Sequence, residues 1–230
     1  MQQKEFIEKV VQFFSSQELY LDEFVAAKND YFDRTGKIFE EDPVFESRMI
    51  AFTEWFAIDR PLSKIGLTPV QLYRELQSSK LTHDENDWLR VLMQSIHSLF
   101  IYRRRDRDRV LVCDLYDNRE IEVFERRDYV GFRSGAVFEG RVLPMGGHPM
   151  FSETYCLHPL EVAGTIQNEI KRLKFRNRSY FILFALSLAA RRLRADRYHK
   201  VDIHRIYDFA NPEGFEKSFM NKRKTLQPIN

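Results

Sequence analysis

The chain has 230 residues, 43% apolar and 30% charged, with a formal net charge of +2. That suits one large globular domain or two small ones and excludes fibrous, low-complexity and disordered chains. Its two cysteines, Cys113 and Cys156, give no disulfide framework and suit reduced, buried thiols in a cytoplasmic protein.

The opening MQQKEFIEKV carries no secretory signal pattern. The longest apolar run, Tyr180–Ala190, is shorter than the roughly 20 residues a membrane span needs. The modest net charge hides an asymmetry. Residues 1–60 carry seven Lys/Arg against thirteen Asp/Glu, and residues 171–200 carry ten against one. A chain so divided can dock its own ends or steer a charged partner.

In chain order, residues 1–100 read as helices. Phe6, Val10 and Phe13 recur at i, i+4, i+7, as do Phe45, Met49 and Phe52, continued by Phe56. Thr68-Pro69 is a helix start, and Thr82 with Glu85 forms a capping box for a helix carrying Trp88, Leu92, Ser95 and Leu99 to about Phe100. Residues 101–158 read as four short strands. Asp117-Asn118 makes one hairpin turn and Met145-Gly146-Gly147-His148-Pro149 another. His158-Pro159 opens the C-terminal helices, 159–210, with a long helix near 178–197, and residues 211–230 are a polar tail. The expected fold is α+β: N-terminal helices, a central antiparallel four-stranded meander or small partial β-barrel, then C-terminal helices, as one cooperative unit.

Four kinds of chemistry attach to named residues. In an extended chain Arg103, Arg105, Arg107 and Arg109 share one face, a file of four guanidinium groups that must meet water, acids or phosphate. Arg191 and Arg194 lie on the basic C-terminal helices, near Tyr180 and Tyr198, in a pattern that nucleic-acid binders share. His148, Cys156 and His158 could converge as zinc ligands, although their spacing matches no closed set. No P-loop, dinucleotide fingerprint, G-x-S-x-G or H-E-x-x-H is present, so the reading is non-enzymatic and cofactor-free.

Two resemblances add to this. The stretches FTEWFAIDRPL…GLTPVQLY (52–73), VFEGRVLP (137–144) and RADRYHKVDIHRIYDF (194–209) together resemble an uncharacterised bacterial family, loosely related to proteins bearing a C-terminal SEC-C zinc motif. The Cys and His residues of that motif are missing here. The resemblance implies a helix–barrel–helix module and no established activity. In EWFAIDRPL itself, Trp55, Phe56, Ile58 and Leu62 read as core, and Asp59-Arg60 as a short-range ion pair or helix-end contact. Arg103-x-x-x-Arg107 before a strand also looks like the arginine lead-in of PilZ domains, which bind cyclic di-GMP, but their D/N-x-S-x-x-G element is absent. The expected function is therefore a bacterial protein-interaction or regulatory module. The alternative is a nucleotide or nucleic-acid binder using Arg103–Arg109 and the 171–200 cations.

Overall fold

Local sequence sets the first helices of the computed structural model, which describes residues 2–127 and 132–211. Helix α1 (Gln3–Ser15) buries Phe6, Ile7, Val10, Val11 and Phe14 along one face. Helix α2 (Glu18–Thr35) and helix α3 (Phe45–Ile58) pack through aromatic rings: Tyr31 and Phe52 lie 5.5 Å apart, Phe24 and Phe56 5.2 Å. Trp55, Phe56, Ile58 and Leu62 are core residues, as the sequence indicates. Helix α4 (Pro69–Gln77) starts at the Thr68 cap, whose N–H donates to Gln71 Oε1 at 2.8 Å. Helix α5 (His83–Met93) carries the reciprocal Thr82–Glu85 box. The Glu85 carboxylate also pairs with Lys9, tying α5 to α1.

Strand structure begins earlier than the helical pattern suggests. Helix α5 stops at Met93, and β1 runs Ile96–Asp106, so Leu99 and Phe100 are strand residues. No glycine or proline marks this boundary; the Ser95 hydroxyl closes the helix by donating to the Leu92 carbonyl at 2.6 Å. The remaining strands are β2 (Arg109–Asp114), β3 (Glu120–Phe124), β4 (Val137–Leu143) and β5 (Met150–Leu157). There are thus five described strands rather than four, and β1–β2–β3 make the expected meander. After the β1–β2–β3 hairpins the chain returns to lay β4 beside β1, the connection of a Greek key, with β5 antiparallel to β4.

The small β-barrel expectation is corrected in the same way. The pairing path β1-β2-β3-β5-β4 comes round to β1, but β3 and β5 meet at one parallel pair, Phe124 with Met150. What forms is a mixed, curled five-stranded sheet rather than an antiparallel meander barrel. Phe100, Val110, Val112, Val123, Phe138 and Val142 make one core cluster of this sheet. Both expected turns are present, with Asn118 at φ +59° and Gly146 and Gly147 at φ +45° and +88°.

A 3-10 turn (Leu160–Val162) leads into α6 (Ala163–Leu173), followed by α7 (Arg178–Arg197) and the short α8 (Ile203–Ile206). Leu99, Ile101 and Val137 of the sheet pack with Phe181, Ala185 and Leu188 of α7. Helix α7 also meets the end of α2 closely. Gly36, at φ +89°, has no room for a side chain, because a Cβ there would lie 2.9 Å from Leu193 Cδ2. The architecture is α+β, with helices at both ends of the chain and the sheet between them. No described helix is long and apolar enough to cross a membrane.

Candidate functional site

Two of the three sequence phrases that carry the family resemblance meet in space. From FTEWFAIDRPL, α3 and its C-cap bring Glu54 and Asp59; from VFEGRVLP, β4 brings Glu139 and Arg141. All seven β4 residues are buried, so the two charges are set into an apolar strand at alternate positions and emerge on one face. His97 on β1 lies opposite Arg141 in the strand register and completes the group.

His97 is held from both sides. Its Nδ1 is 2.8 Å from Asp59 Oδ2 and its Nε2 3.0 Å from Glu139 Oε1. Two carboxylate acceptors require both ring nitrogens to donate, which makes the ring an imidazolium. Burial opposes that charge, but Asp59 and Glu139 outweigh it and lift the His97 pKa to about 9. Burial likewise opposes ionisation of Asp59, yet Arg141 and His97 hold its carboxyl at about 2. Glu139 stays below the usual carboxylate range against burial, through its bond to His97. Glu54 goes the other way: burial raises it, and Arg141 offsets this only in part. Arg141 binds Asp59 through Nη2 and donates from Nη1 to Ser95 Oγ at 2.9 Å. Its Nε lies 3.7 Å from Glu54 Oε2 and has no hydrogen-bond partner among the described residues.

Beside this group a cavity of about 180 Å³ opens between α2, α3, β4, β5 and α7. Arg48 projects into its wall from α3 and is only 7% exposed. Its Nη2 donates to the Ala189 carbonyl at 2.7 Å and reaches Cys156 Sγ at 3.8 Å, and it forms no ion pair among the described residues. The other cations on the wall are each matched. Arg192 pairs with Asp196 at 2.9 Å, Arg141 with Asp59, and His97 with two carboxylates. A buried guanidinium without a carboxylate is costly unless something else supplies negative charge. Burial pushes the Cys156 thiol up to about 11, with Arg48 opposing, and the Tyr31 hydroxyl is raised by its burial too.

The residues singled out by sequence fall elsewhere, with one exception. The four arginines of 103–109 do not form a file. The β1–β2 register slips between Tyr102 and Arg104, making Arg103 the extra residue of a bulge, and Arg107 occupies the hairpin turn at φ +53°. A bulge changes the parity of everything beyond it, and that is why strict alternation fails here. Arg105 folds back to donate to the carbonyls of Arg107, Glu125 and Arg127, and Arg109 pairs across the strands with Glu122.

Arg191 caps the end of α8, donating to the carbonyls of Ile206 and Asp208 and stacking over Phe209 at 4.5 Å. Arg194 is half-buried one turn further along α7. The expected docking of basic helix onto acidic N-terminal region does occur, at Arg197 and Asp42 (2.6 Å).

His148, Cys156 and His158 do not converge as ligands, and the described residues contain no group of three or more candidate metal ligands. His148 is exposed in its turn. His158 is buried, with Nδ1 3.0 Å from the Tyr207 hydroxyl, and burial holds its pKa down to about 3. Cys156 alone reaches the cavity wall.

Asp59 and Arg60 do not pair with one another: Asp59 meets His97 and Arg141, while Arg60 bonds Glu23 at 3.0 Å. Sequence reasoning missed Arg48, Glu54, His97, Glu139 and Arg141. The one signal available was the pair of charges interrupting the apolar strand VFEGRVL.

A profile for a family of unknown function, DUF7986, matches residues 2–180, so the chain belongs to that family. The matched span includes the EWFAIDRPL and VFEGRVLP phrases and stops short of 194–209. No curated protein and no solved structure matches the chain.

Proposed function

We propose that this member of DUF7986 is a non-catalytic regulatory module that binds a small anion in the cavity between its helices and its sheet. One observation carries the reading: Arg48 is a buried cation on the cavity wall with no carboxylate within ion-pair distance among the described residues. The space favours binding over turnover. Both nitrogens of His97 are occupied, and the Cys156 thiol is held protonated, so neither supplies a base or a nucleophile to the cavity. At about 180 Å³ the cavity is smaller than the roughly 300–1,000 Å³ of drug-sized pockets, which argues against a cyclic dinucleotide there.

The cavity sits where α3 and α7 meet β4 and β5, so an occupant would change how the helices seat on the sheet. A protein partner would read that change on the outer helical surface. Leu19 and Ile65 are exposed there, lining a depression of about 490 Å³.

Thermal unfolding with sodium salts of small anions tests the reading. An anion at 100 times its Kd stabilises by about 2.7 kcal/mol, which for a chain of this size raises Tm by roughly 5–11 °C. Arg48→Met should abolish that shift. If no small anion at low ionic strength raises the Tm of the natural chain more than that of the variant, the reading is wrong.

A further inference from the structure

Resting on the anion-binding reading just given, we infer that the ligand is a short monocarboxylate: one carboxylate received by Arg48, with a small apolar body against Val44, Ala51 and Leu157. Charge, size and wall chemistry each narrow the class.

Charge comes first. Glu54, Glu139 and Asp196 also line the cavity, and every lining cation except Arg48 already has a carboxylate within ion-pair distance. Counted with Asp59, four cations meet four carboxyl groups, and burial favours the neutral form of Glu54, which leaves one positive charge for a ligand to match. A second negative charge would sit among three carboxyl groups in a space of low dielectric, where like charges repel strongly. This disfavours phosphate and dicarboxylates.

Geometry names the donor. Arg48 is 7% exposed and forms no ion pair among the described residues, and guanidinium donors are well suited to carboxylate oxygens.

Size sets the body. About 180 Å³ is below the roughly 300–1,000 Å³ of pockets that take drug-sized ligands, which suits a carboxylate of two to four carbons and is too little for a nucleotide. The wall has apolar character beside Arg48 from Val44 and Ala51 and on β5 from Leu157, with Ser47 and Thr154 adding hydroxyls. An alkyl tail there should strengthen binding by about fourfold per buried methylene until the cavity is full.

Calorimetric titration at pH 7 with acetate, propanoate, butanoate, octanoate, succinate and inorganic phosphate tests this on the natural chain, Arg48→Met and Arg48→Lys. Circular dichroism establishes that each variant is folded. The expected result is affinity rising from acetate to butanoate and lost at octanoate, with succinate and phosphate much weaker. Arg48→Met should weaken butanoate by about 10- to 100-fold, with partial retention in Arg48→Lys. Phosphate or succinate binding that depends on Arg48, with the monocarboxylates silent, overturns the ligand class and leaves the anion-binding reading standing. Carboxylate binding unchanged in folded Arg48→Met overturns the placement. Silence from every anion overturns both.

Discussion

Replacing His97 by glutamine tests the buried ion group through its pH dependence. In the natural chain His97 faces Asp59 on one side, Glu139 on the other, and Arg141 across the register. Its pKa moves from 6.5 to about 9 on folding, and at about 1.4 kcal/mol per pH unit this corresponds to roughly 3 kcal/mol of stability. Breaking a buried pair by removing one partner costs about 3–5 kcal/mol in other proteins, so two independent routes agree.

The sign follows from proton counting. Between pH 6.5 and 9 the native state holds a proton that the unfolded chain has lost. The contribution is therefore full below pH 6.5 and disappears as pH rises through about 9. Urea unfolding of both proteins at intervals from pH 6 to pH 10 reads this directly. At pH 6 His97→Gln should be less stable by about 3 kcal/mol, and the two curves should converge toward pH 10. Parallel pH profiles, separated by a constant amount or not at all, would refute the assignment of an imidazolium between two carboxylates.

Three further outcomes follow from particular contacts. His158, held down to about 3 by burial, makes the native state lag in proton uptake below pH 6.5, so stability should decline toward acid; His158→Gln should flatten that decline in the same urea series. Gly36→Ala forces a Cβ against Leu193 at a left-handed φ, and should cost about 1–3 kcal/mol by thermal unfolding. Arg197→Ala removes a partly exposed pair with Asp42 and should cost no more than about 1 kcal/mol, a loss that high salt in the natural chain reproduces in part.

What the sequence showed and what it hid have physical reasons. The Thr68-Pro69 and Thr82–Glu85 starts were legible because capping is a local hydrogen-bond pattern between residues three apart. The long helix of 178–197 was legible from its length, and both β turns from their glycine and asparagine signals. The start of β1 was not, because a run such as SIHSLFIY satisfies helix and strand patterns alike and only pairing with β4 decides between them.

The same limit explains the arginines. Alternation put Arg103, Arg105, Arg107 and Arg109 on one face, but a one-residue bulge and a tight turn, both fixed by pairing with β2, dispersed them. The candidate site was least visible of all. Arg48, Glu54, Asp59, His97, Glu139 and Arg141 are spread over almost a hundred positions, and none belongs to a short motif. Only the Greek-key return of β4 to β1 sets Glu139 and Arg141 beside His97, facing α3.

The central claim is that Arg48 is a buried cation kept for a ligand. A crystal structure grown with 3-bromopropanoate tests it most directly, since bromine can be located by its anomalous scattering. A bromine peak is expected inside the cavity between α3 and β5, with the carboxylate on Arg48. Bromine confined to the outer surface, with only ordered water beside Arg48, would contradict it.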